Sequence, residues 1–134
     1  MVLQDEYCEK CGEKYTDINL KWCKPCQTDY LKNNFTNWSS GNEKIDNYIQ
    51  KMQLKIDNYN DRILEWIPYN QFDNIKEINK NDFSTVFSAI WKDSPLEYNI
   101  YEKLYKRNLK NQNQIVSLKC FNSQDITDEF FNEV

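Results

Sequence analysis

Four cysteines near the N-terminus have the spacing of a metal site. Cys8 and Cys11 form one Cys-x2-Cys pair, Cys23 and Cys26 form a second, and eleven residues separate the two pairs. Two residues between thiols allow a tight turn to direct both sulfurs at one ion, and Gly12 gives the backbone freedom that such a turn needs. We therefore predict that these four cysteines bind one Zn²⁺ in a zinc ribbon.

The chemistry of such a site would be structural, because four thiolates leave no coordination position open for a substrate. Disulfides and unrelated thiols are the alternatives. The first ten residues carry Asp5, Glu6 and Glu9 and show no apolar stretch of a secretory signal, which predicts a cytoplasmic or nuclear chain. In those reducing compartments clustered cysteines bind metal more often than they form disulfides.

Composition narrows the class of protein. The 134 residues are 40% hydrophobic and 28% charged with a mean hydropathy of -0.89, so we expect no membrane protein. The chain contains no His, which removes the commonest general base and metal ligand. The net charge of -4 and the mixed charges around the cysteines argue against nucleic acid as a partner. We therefore expect the cysteine segment to contact a protein.

The middle of the chain, residues 39–68, has the pattern of one long amphipathic helix. Ser40 and Glu43 have the spacing of a capping box, and Pro68 would end the helix. Apolar residues recur at steps of three and four and predict one buried stripe; they are Ile49, Met52, Ile56, Tyr59, Ile63 and Trp66. The stripe would pack on its own domain or, alternatively, bind a partner.

The last part of the chain changes to a strand pattern. Residues 72–78, 83–91 and 115–121 are rich in β-branched and aromatic residues, which predicts three antiparallel strands. The polar segment 92–114 between the last two is predicted to be a long surface loop. Asp125 would cap the start of a final helix. The fold class expected for the whole chain is therefore α+β.

This last part resembles the start of a protein-kinase N-terminal lobe. Residues 78–86 stand in the place of the glycine-rich loop, residues 116–119 in the place of the V-A-I-K motif, and residues 130–133 in the place of helix C. In that family the strand lysine holds the ATP phosphates and pairs with the helix-C glutamate. The resemblance therefore implies that Lys119 and Glu133 have these roles, and it places further nucleotide contacts at Asn79, Asn81, Ser84 and Val86.

Nearly the whole chain is similar to the N-terminal portion of fungal tyrosine-kinase-like proteins. The similarity rests on the cysteine pairs, the run from Trp38 to Asp46, and the run from Glu65 to Tyr69. It implies a zinc ribbon over 1–38, a linker helix over 39–68 and a partial kinase lobe over 69–134. It also implies ATP and Mg²⁺ as cofactors and phosphorylation of protein hydroxyls as the family activity.

Several residues depart from the kinase pattern, and these departures lower the activity that we expect of this chain. Asn79, Asn81 and Ser84 replace the three glycines, and Asp82 adds a carboxylate where phosphate would lie. The 134 residues contain neither H-R-D-x-x-x-x-N nor D-F-G. We expect a truncated, inactive lobe with weak nucleotide binding or none. The alternative is a non-catalytic adapter that binds a protein through its cysteine segment and helix, and an unpaired sheet edge would permit self-association.

Overall fold

The computed structural model of the chain describes residues 6–121, which fold as an α+β protein in two compact units. The first unit contains the described residues up to Trp66 together with Pro95–Asn108. The second contains Ile67–Ser94 and the described residues from Leu109 onward. In this part of the chain no helix has the length and apolar character needed to cross a bilayer.

The first unit contains two α-helices, α1 at Lys24–Asn33 and α2 at Glu43–Gln53. The sequence analysis did not predict α1, although Pro25 stands in its first turn, where proline's fixed φ favours helix. Single 3₁₀ turns lie at Phe35–Asn37 in this unit and at Tyr69–Gln71 and Leu109–Asn111 in the second. The cysteine segment is therefore partly helical.

The predicted capping box of α2 is wrong. Asn42 is the N-cap, and its Oδ1 accepts hydrogen bonds from the backbone amides of Lys44 at 2.9 Å and Ile45 at 3.2 Å. The Ser40 hydroxyl instead donates to the Asp46 carboxylate at 2.5 Å. Asn and Ser are comparable N-cap residues. The sequence pattern placed the cap two residues too early.

The helix predicted over residues 39–68 is too long, since α2 ends at Gln53. The Asp61 carboxylate accepts hydrogen bonds from the backbone amides of Asp57 at 2.7 Å and Asn58 at 3.2 Å. Such side-chain acceptors compete with the helical bonds of the backbone. Three of the six stripe positions are buried: Ile49 is 5% exposed, and Ile56 and Ile63 are 3% and 9% exposed in the irregular segment that follows. Trp66, the last stripe position, is 37% exposed.

The three predicted strands are present. They are β1 at Phe72–Lys80, β2 at Ser84–Trp91 and β5 at Gln114–Phe121, and they form an antiparallel sheet in the order β1-β2-β5. The register of β2 with β5 is continuous from Ser84 to Trp91, whereas β1 has two irregularities against β2. This sheet is the main element of the second unit.

The surface loop predicted over residues 92–114 is wrong. This segment of the chain contains a two-stranded antiparallel hairpin made of β3, Leu96–Asn99, and β4, Leu104–Arg107. Tyr98 and Tyr105 lie opposite each other in this hairpin and are 8% and 3% exposed. Both tyrosines belong to the core of the first unit, which also contains Trp22, Leu31, Ile56 and Ile63.

Candidate metal centre

The structure brings the four predicted cysteines together. The Sγ atoms of Cys8, Cys11, Cys23 and Cys26 all lie within 4.8 Å of one another. Cys8 and Cys26 are 3.6 Å apart and Cys11 and Cys23 are 3.4 Å apart. A tetrahedral Zn–S bond of ~2.3 Å separates the sulfurs by ~3.8 Å, whereas a disulfide needs ~2.05 Å. The cluster therefore has the size of a four-thiolate metal site.

A tight loop positions the first pair. The backbone amide of Gly12 donates to the Cys8 carbonyl at 2.8 Å, and the Cys8 amide donates to the Glu13 carbonyl at 2.7 Å. Gly12 has a backbone φ of +79°, a conformation that residues other than glycine rarely adopt. The turn therefore directs both sulfurs of the pair to one side.

The second pair is held by a strand bridge and a helix start. Asp17 and Trp22 exchange two backbone hydrogen bonds of 3.1 and 3.0 Å. Cys23 follows as the N-cap of α1, and Cys26 lies in the first turn of that helix. A helix N-terminus favours nearby negative charge, and a hydrogen bond from the Cys26 backbone acts to lower the pKa of the Cys23 thiol.

The cysteines perturb one another's protonation. Burial alone would raise the pKa of Cys8, but backbone hydrogen bonds at Cys11 and Lys10 and neighbouring thiols lower it to about 7. Burial, with the adjacent thiols, raises the pKa of Cys23 to about 11 and also raises the pKa of Cys26. Four negative charges at this distance repel each other, and a bound divalent cation would remove that repulsion.

Aromatic residues pack behind the second cysteine pair. The indole Nε1 of Trp22, which precedes Cys23 in the chain, donates to the Tyr105 hydroxyl at 3.3 Å. The Tyr105 ring packs edge-on against Tyr98, with centroids 5.5 Å apart, and stacks on Tyr30 at 6.3 Å. Trp22 itself is fully buried. The loop that carries the second cysteine pair is therefore supported by the β3–β4 hairpin.

Three of the predicted nucleotide-binding residues lie in one row of the second unit. Val86 in β2 is opposite Asn79 in β1 and opposite Lys119 in β5. Directly opposed residues share one face of an antiparallel sheet. Glu133, the predicted partner of Lys119, lies outside the described residues.

The β1–β2 turn does not have the open amides of a phosphate-binding loop. The Oδ1 atom of Asn81 accepts hydrogen bonds from the backbone amides of Phe83 and Ser84, both at 2.8 Å. The Asn81 amide donates to the Ser84 carbonyl at 2.9 Å. Ser84 is also 3% exposed. Amides that already donate within the turn are not available to a phosphate group.

The first unit also contains an ion pair that was not predicted from the sequence. Glu65 forms a bidentate ion pair with Arg107 of β4, with contacts of 2.5 and 3.3 Å. The alternation of Leu96 to Asn99 and of Leu104 to Arg107 is strand-like and was the available signal for the hairpin. Nothing in the sequence pairs Glu65 with Arg107.

Comparison of the chain with protein-family models, with curated proteins and with solved structures finds no match. The resemblance to protein kinases therefore stays a prediction.

Proposed function

We propose that the first unit is a zinc-stabilised protein-binding module. The observation that carries this proposal is the approach of four cysteine sulfurs to within 4.8 Å of one another. Thiolates favour zinc among the common divalent ions, and a structural site supplies ~10–16 kcal/mol of apparent binding free energy. The zinc ion would therefore provide much of the free energy that folds this unit.

A protein partner suits the module better than a substrate or a nucleic acid. Four thiolates saturate the ion, so the metal would have no catalytic position. The chain carries a net charge of -4, which opposes phosphate-backbone binding. The role of the ion would be to hold a surface in shape for recognition, as in an adapter.

Metal analysis of three proteins tests the zinc proposal. We expect one zinc per chain in the wild type, and we expect a strong chelator to unfold the first unit. Cys23→Ser removes one ligand and should lose the zinc. Cys120→Ser is the matched control, because Cys120 lies on β5, outside the cluster, and should keep one zinc. A protein that stays folded without metal would contradict the proposal.

A second candidate function is nucleotide binding by a kinase-like sheet in the second unit. The observation that favours it is the row of Asn79, Val86 and Lys119 on one face. The closed turn at Asn81 opposes it, since the amides of Phe83 and Ser84 are already bonded. We propose weak binding of Mg-ATP at most and no phosphoryl transfer by these 134 residues.

Thermal melting with Mg-ATP tests this second candidate. A ligand that binds only the folded state raises the melting temperature, so millimolar Mg-ATP should give a measurable shift. Lys119→Ala should abolish that shift. Lys80→Ala is the control, because Lys80 is opposite Thr85, one residue before Val86, and lies on the other face. No shift in the wild type, or equal shifts in both variants, would remove the candidate.

A further inference from the structure

A groove of about 290 Å³ lies on the first unit. Its walls come from α1, α2, the segment around Trp66 and the β3–β4 hairpin. The lining combines aromatic rings with amide side chains and one ion pair; the aromatic residues are Tyr30, Trp38 and Trp66. This volume is just below the ~300–1,000 Å³ typical of ligand sites.

The charges that line the groove cancel. The Arg107 guanidinium binds the Glu65 carboxylate with two contacts, and the carboxylate also accepts the Leu96 amide at 3.1 Å. The Glu65 side chain is 13% exposed and the Arg107 side chain is 37% exposed, so the carboxylate is largely removed from water and the guanidinium is partly open to it. A charged ligand would have to compete with a bidentate pair. The groove is therefore complementary to an uncharged ligand.

Gln53 offers a hydrogen-bond acceptor in the groove. The residue is 5% exposed, and its Nε2 donates to the Leu64 carbonyl at 2.8 Å. Among the described residues none donates to its Oε1. This oxygen is not among the fully buried unpartnered atoms of the described residues, so it is an accessible acceptor to which a ligand N–H would donate in place of water.

The aromatic residues offer flat apolar surfaces with polar tips. Trp66 is 37% exposed and Tyr30 is 38% exposed, so both rings are open to a ligand. Indole N–H and phenol O–H groups donate to carbonyls, and the rings pack on apolar groups. Extended proline-rich peptides present this combination, because proline rings alternate with carbonyls that no internal hydrogen bond occupies.

We infer that this groove binds an uncharged, proline-rich extended segment of a protein partner. Proline rings would pack on Trp38 and Trp66, peptide carbonyls would accept from the aromatic donors, and one peptide N–H would donate to Gln53 Oε1. The inference deepens the proposed adapter function and rests on it, since the groove is part of the unit that zinc would stabilise.

Titration with one synthetic peptide tests the inference. The probe is a dodecapeptide of two Pro-Pro-Leu and two Pro-Pro-Ala units with blocked ends. It is added to the zinc-loaded full chain, with tryptophan fluorescence and calorimetry as readouts. We expect saturable 1:1 binding. Trp66→Ala should weaken it at least about tenfold, and Gln53→Met should weaken it by a smaller factor. Tyr101→Ala is the matched control, because Tyr101 is 88% exposed and does not line the groove.

The outcomes separate the groove from the metal site. A chain that holds one zinc and unfolds on chelation, yet binds no peptide at millimolar concentration, would overturn the groove inference alone. A metal-free folded chain would overturn the proposed function. Equal weakening in Trp66→Ala and Tyr101→Ala would also overturn the inference. Trp66-dependent binding of chitotriose without peptide binding would assign the groove to carbohydrate and reject the peptide.

Discussion

Tyr98 and Tyr105 are neighbours across one hairpin, but their hydroxyl groups are in different states. The Tyr105 hydroxyl accepts a hydrogen bond from the buried Trp22 indole at 3.3 Å. The Tyr98 hydroxyl is buried and has no hydrogen-bond partner in the described part of the chain. A buried donor that loses its acceptor lowers the stability of the folded state. The removal of a buried polar group that has no partner changes the stability little.

Removing the hydroxyl should therefore destabilise the protein at Tyr105 but not at Tyr98. Tyr105→Phe leaves the Trp22 N–H unsatisfied and should lower the free energy of unfolding by ~1–3 kcal/mol. Tyr98→Phe should leave it unchanged or raise it slightly. Urea unfolding of the zinc-loaded proteins, with Tyr98→Phe as the matched control, measures both. Equal losses in the two variants would contradict this assignment of the hydroxyl groups.

The raised pKa of Tyr98 predicts that the protein loses stability at alkaline pH. Burial, with smaller contributions from Tyr105, Tyr15, Asp17 and Cys8, raises the pKa of Tyr98 from 10.0 to about 12. The unfolded chain therefore ionises this phenol first, and the stabilisation present below pH 10 is lost as pH rises toward 12. The unfolding free energy should therefore fall between about pH 10 and about pH 12. This fall should be smaller in Tyr98→Phe, and an identical fall would contradict the prediction.

At the scale of elements, the start of α2 depends on one side chain. Asn42 satisfies two backbone amides that have no helical acceptor. Asn42→Ala should therefore lower the unfolding free energy by ~1 kcal/mol. Asn47→Ala, the same substitution at an exposed position inside α2, should be neutral or slightly stabilising because alanine has the higher helix propensity. Equal destabilisation by both would show that Asn42 does not cap the helix.

The strands and the clustering of the four cysteines were predictable because their signals are local. β-branched and aromatic runs marked β1, β2 and β5 to within about two residues. The cysteine pairs were recognised from spacing alone, because few side chains other than paired thiols suit a structural zinc site.

The end of α2 and the hairpin were not predictable from periodicity. The apolar spacing that predicts a helix continues past Gln53. Such spacing carries no information about the hydrogen bonds that the Asp61 carboxylate accepts from the backbone amides of Asp57 and Asn58. Residues 96–107 looked polar because each short strand of this hairpin has only one buried residue, Tyr98 in β3 and Tyr105 in β4. Their burial depends on Trp22, which is 83 residues away from Tyr105 in the chain. No short sequence window contains that contact.

At the scale of the whole molecule, the first unit is discontinuous in sequence. The described residues up to Trp66 pack with Pro95–Asn108, and Ile67–Ser94 belong to the other unit. The hairpin contacts the cysteine loops through the hydrogen bond between Tyr105 and Trp22, the residue before Cys23. If zinc binding and folding of this unit are one equilibrium, a residue that touches no sulfur will still affect the zinc affinity.

Tyr105→Ala tests this coupling. Truncation of a buried aromatic side chain costs ~3–5 kcal/mol of folding free energy. Since each ~1.4 kcal/mol is a factor of ten, the apparent zinc Kd should rise by about 100-fold to about 4,000-fold although all four cysteines remain. Competition with a chromophoric chelator measures the Kd. Tyr101→Ala, at the exposed tip of the same hairpin, should leave the Kd unchanged. An unchanged Kd in Tyr105→Ala would mean that the cysteine loops bind zinc without support from the hairpin.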